Sequence, residues 1–322
     1  MSVGQSMETS EFSIHPATRL GPVALAVADL DREVEFYETI LGFRLHWRDG
    51  GAAGLGAGGE DLLRLSMLPG GRRVRGTTGL YHFAVLFPTR REFARALARV
   101  FTARYPNAPT DHLMTETTYL DDPAGNGIEL YVDTPERGTW FMNEGTFSAR
   151  DNQGRSHSGR EPLDVGAVFK ELRPEDSLDT PAPEGTKIGH VHLHVADLDE
   201  ALRFYHGVLG FDVQGESRAI GMTFVSAGGY HHHVGLNTWV GEGAPPAPPD
   251  ALGLRYFTVV LPDDDQLERM TGRVRAAGIA ADDVRDGVRI RDPFNHGVML
   301  STPERVGRGS TADSDRGARQ VH

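Results

Sequence analysis

Val27-Ala28-Asp29-Leu30-Asp31, followed by Phe36-Tyr37 and Leu41-Gly42-Phe43, returns later in the chain as Val195-Ala196-Asp197-Leu198-Asp199, followed by Phe204-Tyr205 and Leu209-Gly210-Phe211. In each copy an apolar strand runs into an Asp that can cap a helix. Leu30, Val34, Tyr37 and Leu41 then give one apolar helix face, and Leu198, Ala201, Leu202 and Tyr205 give the other. Asp197 with Glu200 reads as a capping pair. A second motif repeats between these copies and after them. Gly79-Leu80-Tyr81-His82-Phe83-Ala84-Val85-Leu86-Phe87-Pro88 matches Gly253-Leu254-Arg255-Tyr256-Phe257-Thr258-Val259-Val260-Leu261-Pro262. The turn and strand Asp122-Pro123-Ala124-Gly125-Asn126-Gly127-Ile128-Glu129-Leu130 match Asp292-Pro293-Phe294-Asn295-His296-Gly297-Val298-Met299-Leu300. The chain therefore reads as α+β, built from four βαβββ modules, units one to four. One module alone exposes a sheet face and must pair with another.

The expected organisation is a flexible tail over 1–18, an N-terminal module pair over 19–134 and a C-terminal module pair over 187–303. A linker of Gly, Pro, Ser and charges spans 135–186, with a short helix over 163–172, and a disordered polar tail covers 304–322. A structureless stretch as long as that linker is unusual inside a compact domain, so it reads as a connector.

The 322 residues carry a net charge of −12 with no basic stretch to offset it, which argues against nucleic acid as a partner. No apolar run is long enough for a membrane span, and no signal peptide is recognisable. There is no cysteine, so thiolate metal sites are excluded and any metal must sit on His, carboxylate, carbonyl or water. These features lead to the expectation of a cytoplasmic protein.

Histidine is concentrated: seven of the fourteen lie between positions 188 and 236. His190, His192 and His194 alternate with apolar residues and so share one strand face. His231, His232 and His233 come a strand-set later. Any one of them can be a packed histidine satisfied by backbone or water; together they point to a metal or catalytic site.

The Val-Ala-Asp-Leu-Asp, Phe-Tyr, Leu-Gly-Phe and Asp-Pro-x-Gly-Asn-Gly-Ile-Glu-Leu signals resemble the vicinal oxygen chelate superfamily of glyoxalases, resistance proteins and extradiol dioxygenases. The stretch 188–239 is most similar to bacterial two-domain catechol 2,3-dioxygenases. The resemblance implies two vicinal-oxygen-chelate barrels or half-barrels. It also places metal ligands on the first and last strands of modules. Those positions hold His82, His190 and Glu129; their counterparts Pro22, Tyr256 and Met299 are not ordinary ligands. Two histidines and a carboxylate form the facial triad of non-haem Fe(II) oxygenases. His82 alone in an apolar strand is more often a core histidine, and Glu129 could face solvent; the coincidence of all three decides for ligands.

By the same resemblance His232 is the acid–base histidine, in the last strand of unit three, with the alignment open by one residue to His231 or His233. Tyr119 matches the active-site tyrosine. His112 matches a histidine outside the ligand set, or is a loop histidine bonded to a turn. His192 and His194 become wall or outer groups, or simply packed ones, and Trp239 and Phe257 are candidates to wall the substrate ring. The implied reaction is ring cleavage of a small aromatic diol by O2, with Fe(II), alternatively Mn(II), and with zinc or nickel able to take the site during purification. A glyoxalase-like isomerase would need a second glutamate near Gly235, where there is none. A binding or resistance protein usually lacks a full ligand set. Homo-oligomerisation is left open. The ligands fall in units two and three, so those units are expected to pair, within one chain or across a dimer, leaving one and four to form an empty site.

Overall fold

The computed structural model describes residues 12–143 and 146–307. In every unit the first strand pairs in parallel with the last: Arg19–Val27 with Asp61–Met67, Gly79–Leu86 with Gly127–Asp133, Lys187–His194 with Val234–Asn237, and Gly253–Val260 with Gly297–Ser301. First strands then pair antiparallel across units, Gly79–Leu86 with Lys187–His194 and Arg19–Val27 with Gly253–Val260. A nine-stranded sheet thus joins units two and three, and an eight-stranded sheet joins units one and four. The two halves of the sequence are not the two sheets.

Helix docking runs the other way. The buried Tyr37 hydroxyl of unit one donates to Asp122 of unit two at 2.7 Å, and Tyr205 of unit three donates to Asp292 of unit four at 2.9 Å. Sheets therefore tie units two to three and one to four, while these bonds tie one to two and three to four. The repeated Phe-Tyr and Asp-Pro motifs are the two ends of this contact. A buried hydrogen bond contributes about 1 kcal/mol, and leaving its acceptor unpaired costs about 1–3 kcal/mol. The expected caps form: Asp29 accepts from the Arg32 amide at 3.1 Å and Asp197 from the Glu200 amide at 2.8 Å.

The linker reading needs correction. Gly138–Asn143, Thr146–Asp151 and Ser156–His157 form a three-stranded sheet, and Glu161–Pro162 adds to the edge of the nine-stranded one. The expected short helix is Val165–Phe169. Arginines of the helix Arg90–Thr102 pin the chain beyond it: Arg91 to Asp176, Arg95 to the Pro181 carbonyl, and Arg99 to the Leu178 and Thr180 carbonyls. Composition signalled a connector, but these contacts come from a distant helix.

The tails also differ from expectation where they are described. Ile14 is buried and its amide donates to the Gly210 carbonyl, and Val306 is buried on the short helix Pro303–Val306. The rest of the expected tails, 1–11 and 308–322, lies outside the described residues. No described helix is long and apolar enough to cross a membrane.

In the eight-stranded sheet the positions of Pro22, Tyr256 and Met299 gather no metal-ligand cluster among the described residues. Nearby, Arg64 bridges Asp61 and Asp286 at 3.2 and 2.6 Å, and Asp61 also holds the Trp47 indole and His46.

Candidate metal centre

His82, on the first strand of unit two, and His190, on the first strand of unit three, lie on neighbouring antiparallel strands. Glu129 stands on the last strand of unit two, directly across from Ala84. All three side chains are buried. The two Nε2 atoms are 3.2 Å apart, and Glu129 Oε2 is 3.1 Å from each. Bonds of about 2.0–2.2 Å to a metal put neighbouring corners of an octahedron about 2.8–3.1 Å apart, so this triangle suits one face of an octahedral ion.

The charge states suit the same role. Burial lowers His190 to about 4, leaving it neutral with a lone pair at pH 7. Burial alone would raise Glu129, but His190 and His82 more than reverse this and hold the carboxyl well below the usual range. Gly189 precedes the ligand because a Cβ there would meet the Tyr131 hydroxyl at 1.7 Å.

The triad forms the floor of a cavity of about 240 Å³. His112, Tyr119, His192, His231 and His232 line it, with Ile220, Met222, Phe224 and Trp239 as apolar wall. Trp140, Ser158, Gly159 and Arg160 also line it, all from the segment expected to be a plain linker. Trp239 is a wall residue as anticipated; Phe257 is not, being buried in the core of the other sheet.

Two hydrogen-bond chains converge here. Gly159 carbonyl can only accept, so His112 Nδ1, 2.5 Å away, carries its proton. His112 Nε2 is then an acceptor for the Tyr119 hydroxyl at 2.8 Å. Burial, then the Glu129 charge, raises Tyr119 well above its ordinary value, so it stays a neutral phenol. In the second chain Asp133 accepts from His231 Nε2 at 3.0 Å. His231 Nδ1 is therefore the acceptor for His232 Nδ1–H at 2.8 Å, leaving the lone pair of His232 on Nε2. Burial, then His190 and His231, pushes His232 well below 6.5.

The histidine triplet sits in the loop before Val234–Asn237, not within that last strand. Of its members, His233 turns away to Ser226 Oγ at 2.9 Å, while the His232 ring lies tilted against the His190 ring, with centroids 4.1 Å apart. His194 bonds Asn237 at 2.7 Å and is not among the cavity-lining residues. Asp133 escaped the sequence reading, although it follows Glu129 and Tyr131 on the same strand face. Arg160 escaped it too; its guanidinium lies 5.8 Å from the Tyr119 ring.

A model described as the Glyoxalase/Bleomycin resistance protein/Dioxygenase superfamily matches residues 19–130 and 187–300. The chain belongs to this superfamily. Within it, the chain is 42% identical over 290 residues to a catechol-2,3-dioxygenase of Bacillus subtilis (strain 168), covering 88% of this chain and 96% of that one. It is 29% identical over 173 residues to biphenyl-2,3-diol 1,2-dioxygenase 3 of Rhodococcus globerulus, covering 51% and 88%. The superfamily fold is shared with a putative dioxygenase structure from Bacillus subtilis subsp. subtilis str. 168, at TM-score 0.61, 14% identity and 93% and 92% coverage. It is shared also with glyoxalase I from Zea mays, at TM-score 0.54, 17% identity and 90% and 94% coverage. Taken with the relatives, this superfamily member is an extradiol dioxygenase.

Proposed function

We propose that the enzyme cleaves the ring of a catechol-type diol with O2, at Fe(II) held by His82, His190 and Glu129. The observation that carries this is the 3.1–3.2 Å triangle of two histidine nitrogens and one carboxylate oxygen. Fe(II) is the ion that such a triad ordinarily serves, with Mn(II) the alternative. Bound there, it would supply redox chemistry toward O2 and lower the pKa of coordinated diol oxygens.

The remaining work falls to the protein. His232 is neutral, with its Nε2 lone pair available, so it starts as the acceptor of a diol proton and later returns it. Asp133, through His231, fixes the tautomer that leaves this atom free. Tyr119 has its own proton committed to His112, so its oxygen accepts a hydrogen bond from the diol. The apolar wall excludes water and favours a flat ring. At about 240 Å³ the cavity lies below the ~300–1,000 Å³ range of drug-sized sites, which suits a compact aromatic.

An isomerase reading loses support at Gly235. A Cβ there would meet the His192 ring at 2.9 Å, so this position has no room for the second glutamate. The test is an oxygen electrode. Fe(II)-loaded protein given catechol should consume one O2 per diol and yield a coloured ring-opened semialdehyde. Catechol binding without oxygen uptake would mark a binding protein instead.

A further inference from the structure

A second cleft, of about 830 Å³, opens between the two sheets. Into it run the turns of units two and four that carry Asn126 and His296 at equivalent positions. Its charge is one-sided. Arg73, Arg75, Arg255 and Arg291 line it with His194 and His296, and no Asp or Glu does, although the chain carries −12 overall.

None of the four arginines has an ion-pair partner among the described residues, whereas neighbouring Arg72 turns outside to Asp250 at 2.8 Å. Three are held by backbone instead: Arg73 donates to Gly125 O at 3.0 Å, Arg255 to Ala251 O at 2.8 Å and Arg291 to Asn295 O at 2.9 Å. A guanidinium has five N–H donors, so each is oriented yet keeps donors to spare. Burial, then the nearby Arg291, lowers the pKa of Arg255. His296 adds an independent sign. It is 95% buried, its Nδ1 is taken by Asp292 at 2.7 Å, and its Nε2 has no partner. With its Nδ1 proton on Asp292, Nε2 is left as an acceptor, so it calls for a hydroxyl or amine on the body of a ligand rather than for an oxyanion head.

We propose that this cleft binds an organic oxyanion, its phosphate or carboxylate head on the arginines and its body on the apolar wall. The wall is supplied by Leu80, Leu254 and Phe294. Guanidinium forks match both head groups, and such charge-assisted bonds are about twice as strong as neutral ones. The cleft is separate from the metal cavity, with Tyr81 between them: its ring lies 5.1 Å from His194 and 5.0 Å from His82.

The experiment is calorimetric titration of the full-length protein with inorganic phosphate and, separately, succinate, against potassium chloride at matched ionic strength. Saturable binding of one or both probes is expected, and the probe preferred names the head group. The double variant Arg255→Gln/Arg291→Gln should weaken it at least ~10-fold, as loss of charge-assisted hydrogen bonds does. Oxygen uptake with catechol reports whether that variant is folded; if it is not, exposed Arg73→Gln serves, with weakened binding expected again. Arg160→Gln, at the metal cavity, should leave binding unchanged. No saturable binding to either probe overturns the proposal. So does undiminished affinity in the folded cleft variant, or loss of binding in Arg160→Gln, which would put the anion in the metal cavity.

Discussion

His82 and His190 stand 108 positions apart in the chain, yet their Nε2 atoms lie 3.2 Å from each other. They meet because the first strands of units two and three pair with each other. His82→Ala, His190→Ala and Glu129→Ala should each abolish stoichiometric Fe(II) binding. Tyr119→Phe should retain the metal, with at most the ~10–100-fold loss in affinity or activity typical of groups outside the ligand set. Metal content after desalting checks both classes; full occupancy in any of the first three would remove that residue from the ligand set.

His232→Phe should keep the metal and lower turnover by ~10²–10⁴, the usual contribution of a general acid–base group. His233→Ala should spare turnover in folded protein, because His233 is spent on Ser226 and the Ala227 amide. Steady-state oxygen uptake distinguishes them, and the reverse pattern would move the acid–base role to His233.

Asp133→Asn removes the anion that fixes His231. Turnover should fall ~10–100-fold, in line with outer groups at metal sites, with metal content preserved. The pH profile should change shape as well, since the tautomer of His232 is no longer set. An unaltered profile would show that Asp133 is structural only.

Glu33 supplies a pH effect outside the ligand set. Burial, then the neighbouring Asp122, raises its carboxyl from 4.5 to about 8. The folded state binds this proton more tightly than the unfolded chain. Its contribution is therefore fully present below about 4.5 and lost as the pH rises through about 8. One proton gives a slope of at most ~1.4 kcal/mol per pH unit. Glu33→Gln should flatten this part of the stability curve and raise stability at pH 8 relative to wild type. Urea unfolding at several pH values checks it; a parallel curve for the variant would contradict the assignment.

Much of this was legible in the residues. The four-unit repeat could be read from Val-Ala-Asp-Leu-Asp and Asp-Pro, and the resemblance they carry led to His82, Glu129 and His190. What pairs with what came from asking which units held ligands. Of the wall only Trp239 was legible; Trp140 and Arg160 were not, because they arrive from a segment whose composition signals only a connector. The order fixed there by arginines of the helix Arg90–Thr102 depends on contacts across the fold. Asp133 was hidden for a related reason. Its partner is a histidine 98 positions away, and only the folded loop brings them together.

The most direct measurement is an anomalous-scattering map of Fe(II)-loaded crystals. The account predicts a single strong peak ~2.0–2.3 Å from His82 Nε2, His190 Nε2 and a Glu129 oxygen, the range for such ligands. A fully loaded protein whose peak lies elsewhere, or touches only one half of the chain, would contradict it.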